Sequence, residues 1–318
     1  GDVNIDGTLT ANGSTITVAG NWDSADGTFT EGTSTVVLTG TSKNLTIPVG
    51  AYTDGEFNNL TINGSYTFST PSALATIIGN DAANGILILG TNATLNIASG
   101  KSGHIYFNRT FTMNSGSTLG GLGEFAYNGS STTDITTKFT NSGTISVATF
   151  KYRLGENSNV TIPAFNYGGN LQFENYNGKS HTATIGSGTL AVGGNLVVTT
   201  GGAGYTATLV SSEASQAINV GGNWDFGTRG VFTPGTSTVT LNGTGTQNIT
   251  SNGSSFYNIV FDSGDTTGAW AISDAMTVAN DFILTDGAVT QSANLTVTND
   301  FTQTGGTFTS TTPQTHTM

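Results

Sequence analysis

The chain repeats itself, and this property limits its fold more than any other. The segment from Gly20-Asn21-Trp22-Asp23 to Gly40-Thr41 is written again from Gly222-Asn223-Trp224-Asp225 to Gly243-Thr244, with one residue inserted. In that alignment Trp22 meets Trp224, Phe29 meets Phe232, Val36 meets Val239 and Leu38 meets Leu241. Shorter offsets occur as well. Val3, Leu9, Ile16 and Val18 return as Trp22, Phe29, Val36 and Leu38, and Val278 to Phe282 returns as Val297 to Phe301. Val192-Gly193-Gly194-Asn195-Leu196 returns as Val220-Gly221-Gly222-Asn223-Trp224. Self-similarity at so short a period marks a chain built by reiterating one supersecondary unit.

Within each unit the apolar residues alternate, as in Ile16-x-Val18, Leu95-x-Ile97 and Leu295-x-Val297. Period 2 over a few residues, broken by Gly, Asn and Asp, predicts short strands and turns. No window carries a helical stripe. Two architectures fit: a β-sandwich or tandem antiparallel β-domains, and a parallel, right-handed β-helix with coils of about 19–28 residues. The β-helix is favoured because residue types recur at the same phase while loops lengthen without shifting register. Phe57, Phe165 and Phe256, each ahead of an apolar pair, are expected to fill coil corners.

Composition narrows the function. Only 9% of residues are charged, against about 25% in an ordinary domain, while threonine reaches 59 and glycine 45. The polar surface is therefore Thr, Ser and Asn, and β-branched Thr suits a pleated sheet. A net charge of −12 with 8 basic residues argues against a nucleic-acid partner, which needs clustered cations. Absent cysteine excludes disulfides and thiolate chemistry. No apolar run of membrane-spanning length occurs, so no membrane insertion is expected. Gly1 falls at the phase of Gly20, inside a coil, and neither terminus reads as a cap. That pattern fits a piece of a longer chain, or coils that stack end to end between copies.

Three regions follow: coils over 1–100, an irregular aromatic and basic segment over 101–180, and acidic coils over 181–318. The middle segment reads as a wide aromatic core, a looped-out subdomain, or a contact face built on Tyr106, Arg109, Lys151, Tyr152, Arg153 and Tyr167. Lys151 and Arg153, followed by Glu156, would share one strand face; the favoured reading is a solvated strand end, and the alternative is a pair that grips a carboxylated sugar. In the acidic coils Asp281 and Asp300 share a phase and are candidate calcium ligands. The competing reading is turn carboxylates bonded to their own backbone.

His104, His181 and His316 lie far apart without metal-ligand spacing, and no paired carboxylates occur. The chain is accordingly read as not an enzyme. Glycosylation sequons include Asn12, Asn63, Asn92, Asn128, Asn242 and Asn252, in numbers close to chance for this composition.

The phrases at 20–41, Phe57-Asn-Asn-Leu-Thr-Ile-Asn-Gly64 and Val192-Gly-Gly-Asn-Leu196 resemble repeats of large secreted bacterial and archaeal surface proteins with adhesin-like parallel β-helices. The resemblance covers residues 1–64 and 190–318. It implies an extracellular scaffold, adhesion or filament role, with no catalytic residues to carry over. The resulting expectation is a structural extracellular protein, a subunit of a self-assembling surface filament, sheath or layer. Its partner is then itself, end to end or laterally. The alternatives are an adhesin stalk that binds glycans or cell-surface components and, third, a polysaccharide-active β-helix enzyme.

Overall fold

The structure, a computed structural model, describes every residue except 49–55, 72, 80–84, 107, 130–133, 156–157, 176–178, 201–203, 312–315 and 318. Phe107, Glu156 and Tyr176 of the middle segment lie outside the described residues. The chain divides into two compact units, the first comprising Gly1–Gly129 and Asp134–Tyr152, the second running from Arg153 onward. The described residues of 101–180 form stacked strands like the rest.

Each unit is a parallel β-solenoid, as the phase of the repeats requires. In the first unit a coil runs, for example, through Ser65–Ser69, Leu74–Ile78 and Ile86–Leu89, one strand on each of three faces. The next coil repeats the path through Thr94–Ile97, Ser102–Tyr106 and Thr110–Met113. Every pairing between these coils is parallel. In the second unit Leu190–Val192, Leu196–Thr200 and Ala207–Ser211 make one such coil, again parallel to its successor. Coils take between 19 residues, Val3 to Trp22, and 29, Ser65 to Thr94. Insertions go into the connections, which leaves strand register untouched. Among the described residues no α-helix occurs, only the 3-10 turn Ile135–Thr137, capped by the Asp134 side chain on Thr136 N–H.

Register reproduces the repeats read from sequence. Val3 pairs with Trp22, Leu9 with Phe29, Ile16 with Val36, Val18 with Leu38, Val192 with Val220 and Val278 with Val297. Identical inward positions stack into columns, so one hydrophobic strip runs through each unit. Alternation is clean: in Thr35–Leu38 and Asn59–Ile62 every second residue is buried.

The distant copies build the same aromatic cluster. Trp22 meets Phe29 edge-on at 4.9 Å and 81°, and Trp224 meets Phe232 at 4.9 Å and 77°. Phe57 completes the first cluster 5.3 Å from Trp22, and Phe256 the second 5.0 Å from Trp224. Both phenylalanines are buried, whereas Phe165, the third residue expected at a corner, is half-buried.

Corners are tied by side-chain amides. Asn195 N–H donates to Asn170 Oδ1, Asn223 N–H to Asn195 Oδ1 and Asn248 N–H to Asn223 Oδ1, each at 2.8 Å. The first unit begins the same way, with Asn21 N–H on Asp2 and Asn44 N–H on Asn21. In these coils a side chain thus supplies an acceptor for a backbone N–H of the next, a group costly to leave unsatisfied. Glycine serves close stacking at a few corners. A Cβ on Gly64 would lie 1.8 Å from Gly40 O.

Candidate interaction surfaces

Among the described residues, the third face of each unit carries no charge at its outward strand positions. In the first unit these are Thr15 and Thr17, Thr35 and Val37, Asn59 and Thr61, Ile86 and Ile88, Thr110 and Thr112, and Thr140. They stack in register across six parallel strands. In the second unit Asn159/Thr161, Thr182/Thr184, Thr208/Val210 and Val231/Thr233 form the equivalent array over four strands. Along a strand, alternate residues stand about 6.6 Å apart and coils about 4.8 Å apart. The result is a flat grid of methyls and hydroxyls.

A second surface lies at a corner of the first unit. Ala73, Lys101 and Gly123 precede three successive second-face strands, in which Leu74 pairs with Ser102 and Ser102 with Glu124. Ala73, Gly100 and Gly123 are small, and they leave a trough of about 350 Å³ bordered by Lys101, Ser102, Leu122, Glu124 and Thr149. Gly100 turns the chain at φ +69°, and a Cβ on Gly123 would meet Ala98 O at 2.3 Å. Leu122, 77% exposed, is the exposed large hydrophobic residue among the described ones.

The polar groups of the trough are held in place. Ser102 Oγ donates to Glu124 Oε1 at 2.8 Å and sits 2.9 Å from His104 Nε2. Lys151 Nζ lies 2.6 Å from Glu124 Oε2. The carboxylate therefore bonds the serine and a lysine. His104 is fully buried beneath them.

The residues read as a contact face are not brought together on the outside. Strand Thr149–Leu154 alternates, so Lys151 and Arg153 do share a face, as expected, while Phe150, Tyr152 and Leu154 point inward. Tyr152 and Tyr167 are fully buried and Tyr106 nearly so. Arg109 is buried too, with Nε donating to Gly79 O at 2.9 Å. Arg153 Nε lies 3.1 Å from Glu174. The aromatic excess of this segment is core: Phe139 stacks on Phe111 at 4.7 Å and on Phe150 at 5.7 Å. The clue was available in Thr149-Phe-Lys-Tyr-Arg-Leu154, which alternates as plainly as any strand in the chain.

The acidic residues of the second unit are mostly hydrogen-bond acceptors for corners and turns. Asp281 Oδ1 accepts from Asn299 Nδ2 at 2.7 Å, and Oδ2 from Asn280 Nδ2 at 3.0 Å. Asp300 N–H points at the same Oδ1, at 3.4 Å. Asp274 takes the backbone N–H groups of Ser251 and Asn252, and Asp286 that of Ser263. Hydrogen bonds from the Thr267 hydroxyl and N–H hold the Asp265 carboxyl below its usual range. Among the described residues no group of three His, Asp or Glu side chains is placed to hold a metal. Of the sequon asparagines, Asn12, Asn63, Asn92, Asn242 and Asn252 are exposed, whereas Asn128 is fully buried and cannot accept a glycan in the folded chain.

Sequence reasoning missed one buried carboxyl. Glu56 is 7% exposed, accepts from the Ser24 hydroxyl and lies 3.4 Å from Trp22 Nε1. Burial, only partly offset by these two hydrogen bonds, pushes it up to about 7. At Trp224 the counterparts of Ser24 and Glu56 are Phe226 and Ser255, and Phe226 stacks on the indole at 4.7 Å. The paired difference between the copies was the signal.

No helix among the described residues is long and apolar enough to cross a membrane. No protein family, no curated protein and no solved structure matches this sequence, so the parallel β-solenoid itself is the relationship on which a functional reading must stand.

Proposed function

We propose that this chain is a structural extracellular protein, a β-solenoid subunit that associates with copies of itself into a surface filament, sheath or layer. The supporting observation is the uncharged third face present in both units. With a net charge of −12, copies repel one another in general. Burying an unpaired charge in an interface adds several kcal/mol of desolvation. Grids of Thr, Val, Ile and Asn are the surfaces where two copies meet without either penalty. Contacts that are individually weak become durable when many are made along a regular array.

Negative-stain electron microscopy and sedimentation velocity over a range of protein concentration test this reading. Fibres or sheets of regular width are expected from the wild-type chain, and a Val37→Lys, Ile88→Lys double variant should remain dispersed. Both side chains are half-buried and point outward, so the coil tolerates the change. Single particles at all concentrations, or assemblies indifferent to the two lysines, would sink the proposal. A chelator arm separates calcium bridging from sheet contact: assemblies that dissolve in chelator are held by the acidic turns. The second reading, a glycan-binding adhesin stalk, is favoured by the trough beside Leu122.

A further inference from the structure

We propose that this chain modifies itself at three corners, where the side-chain amides of Asn12, Asn63 and Asn242 are converted to carboxylates through the glycine that follows each. Seven Asn-Gly pairs occur in the sequence, and five lie among the described residues, at Asn12, Asn63, Asn128, Asn242 and Asn252. In all five the glycine is followed by Ser or Thr, so their intrinsic reactivities are alike and the fold decides between them. Glycine lacks a Cβ and hinders its own backbone nitrogen least. Asn12, Asn63 and Asn242 are exposed. Among the described residues their side chains make no hydrogen bond, and the N–H groups of Gly13, Gly64 and Gly243 find no acceptor. The other two pairs are held. Asn128 is fully buried in strand Glu124–Gly129. Asn252 is exposed, but its Nδ2 donates to Gly230 O at 3.0 Å, which fixes the group that must leave.

Coil stacking dictates the labile dipeptide at two of these corners. A Cβ on Gly64 would lie 1.8 Å from Gly40 O, and one on Gly243 would lie 1.9 Å from Gly221 O, so only glycine fits after Asn63 and Asn242. The reaction needs water and nothing else. The glycine nitrogen attacks Asn Cγ; the N–Cγ bond forms, the Cγ–Nδ2 bond breaks, and ammonia leaves with the proton of the glycine N–H. Water then opens the five-membered ring at either carbonyl. One opening gives aspartate on the original backbone, the other isoaspartate with an extra methylene in the main chain. Each converted site adds one negative charge to a chain already at −12. The isoaspartate product also lengthens the corners at which Gly64 and Gly243 pack, and so loosens the coils there.

This inference is independent of self-association, because a chain that never assembles still carries the three corners. Peptide mapping by mass spectrometry, on protein held at 37 °C in mildly alkaline buffer, is the test. In the folded chain Asn12, Asn63 and Asn242 should convert at least tenfold faster than Asn128 and Asn252. In urea at the same pH the five rates should converge, since the protection of Asn128 and Asn252 comes from the fold. At pH 5 conversion should slow, because the attacking nitrogen must lose its proton. Gly13→Ala, where the nearest atom to the new Cβ is Thr33 Oγ1 at 3.3 Å, should slow Asn12 alone. Asn63→Gln and Asn242→Gln should each remove one acidic species from an isoelectric-focusing pattern of aged protein, and circular dichroism checks the fold of every variant. The wild-type comparison of the five sites stands whether or not a variant folds. The inference is overturned if the three sites convert no faster than Asn128 and Asn252 in the folded chain, or if they convert only in urea.

Discussion

Replacing Glu56 with Gln should abolish a pH dependence that the wild-type first unit carries. The Glu56 carboxyl is buried beside Trp22 and Ser24, among the described residues no cation pairs with it, and burial raises it to about 7 from 4.5. A raised folded-state value means that the folded chain prefers the protonated form. The stability it contributes is fully present below pH 4.5, is lost as pH rises through about 7, and does not return above that. At about 1.4 kcal/mol per pH unit of separation, the loss amounts to roughly 3 kcal/mol. That is a large share of the stability of an ordinary domain.

Hydrogen exchange of amides flanking residue 56, compared between wild type and Glu56→Gln at each pH from 5 to 8, reads this unit by itself. Intrinsic exchange rates cancel in the comparison. Protection of the wild type should fall relative to the variant as pH rises, by up to about two orders of magnitude. A Ser24→Phe, Glu56→Ser double variant, which installs the residues found beside Trp224, should flatten the profile likewise. Parallel pH profiles for wild type and Glu56→Gln would refute the reasoning, since the carboxyl would then titrate alike in folded and unfolded chains.

The second unit should show the opposite slope. Burial lowers His181 from 6.5 to about 4, so the stability it permits is present above pH 6.5 and is lost as pH falls toward 4. His181→Leu should remove that acid-side loss, roughly 3 kcal/mol when complete, in urea melts at pH 4.5 and 7. At the corners, Gly64→Ala places a Cβ 1.8 Å from Gly40 O and should cost about 1–3 kcal/mol by forcing two coils apart. Gly7→Ala, with nothing within 4 Å of its Cβ, should be neutral within about 0.5 kcal/mol in the same thermal melt.

Much of this fold was legible before any coordinates. A strand declares itself by alternation, and a solenoid by alternation that returns in phase. Pairing Val3 with Trp22 and Leu9 with Phe29 from sequence was therefore already a statement of register. That the two Trp-Phe contacts match was legible as well, because the two stretches are copies of one another, although each pair joins two different columns. The direction of the aromatic side chains in the middle segment was legible too, although the segment as a whole left a wide aromatic core, a looped-out subdomain and a contact face open. Tyr152 is inward because Phe150 and Leu154 are.

What the sequence could not decide is which residues of unlike phase and distant position meet. Ser24 and Glu56 stand 32 residues apart in the sequence and touch in the folded chain. The trough exists because Ala73, Gly100 and Gly123 fall at one corner of successive coils, an outcome of coil lengths that differ from turn to turn. Periodicity fixes contacts within a column, since these depend only on phase. Contacts between columns depend on how far each connection reaches around the corner, and that distance is set only when the coils close on one another.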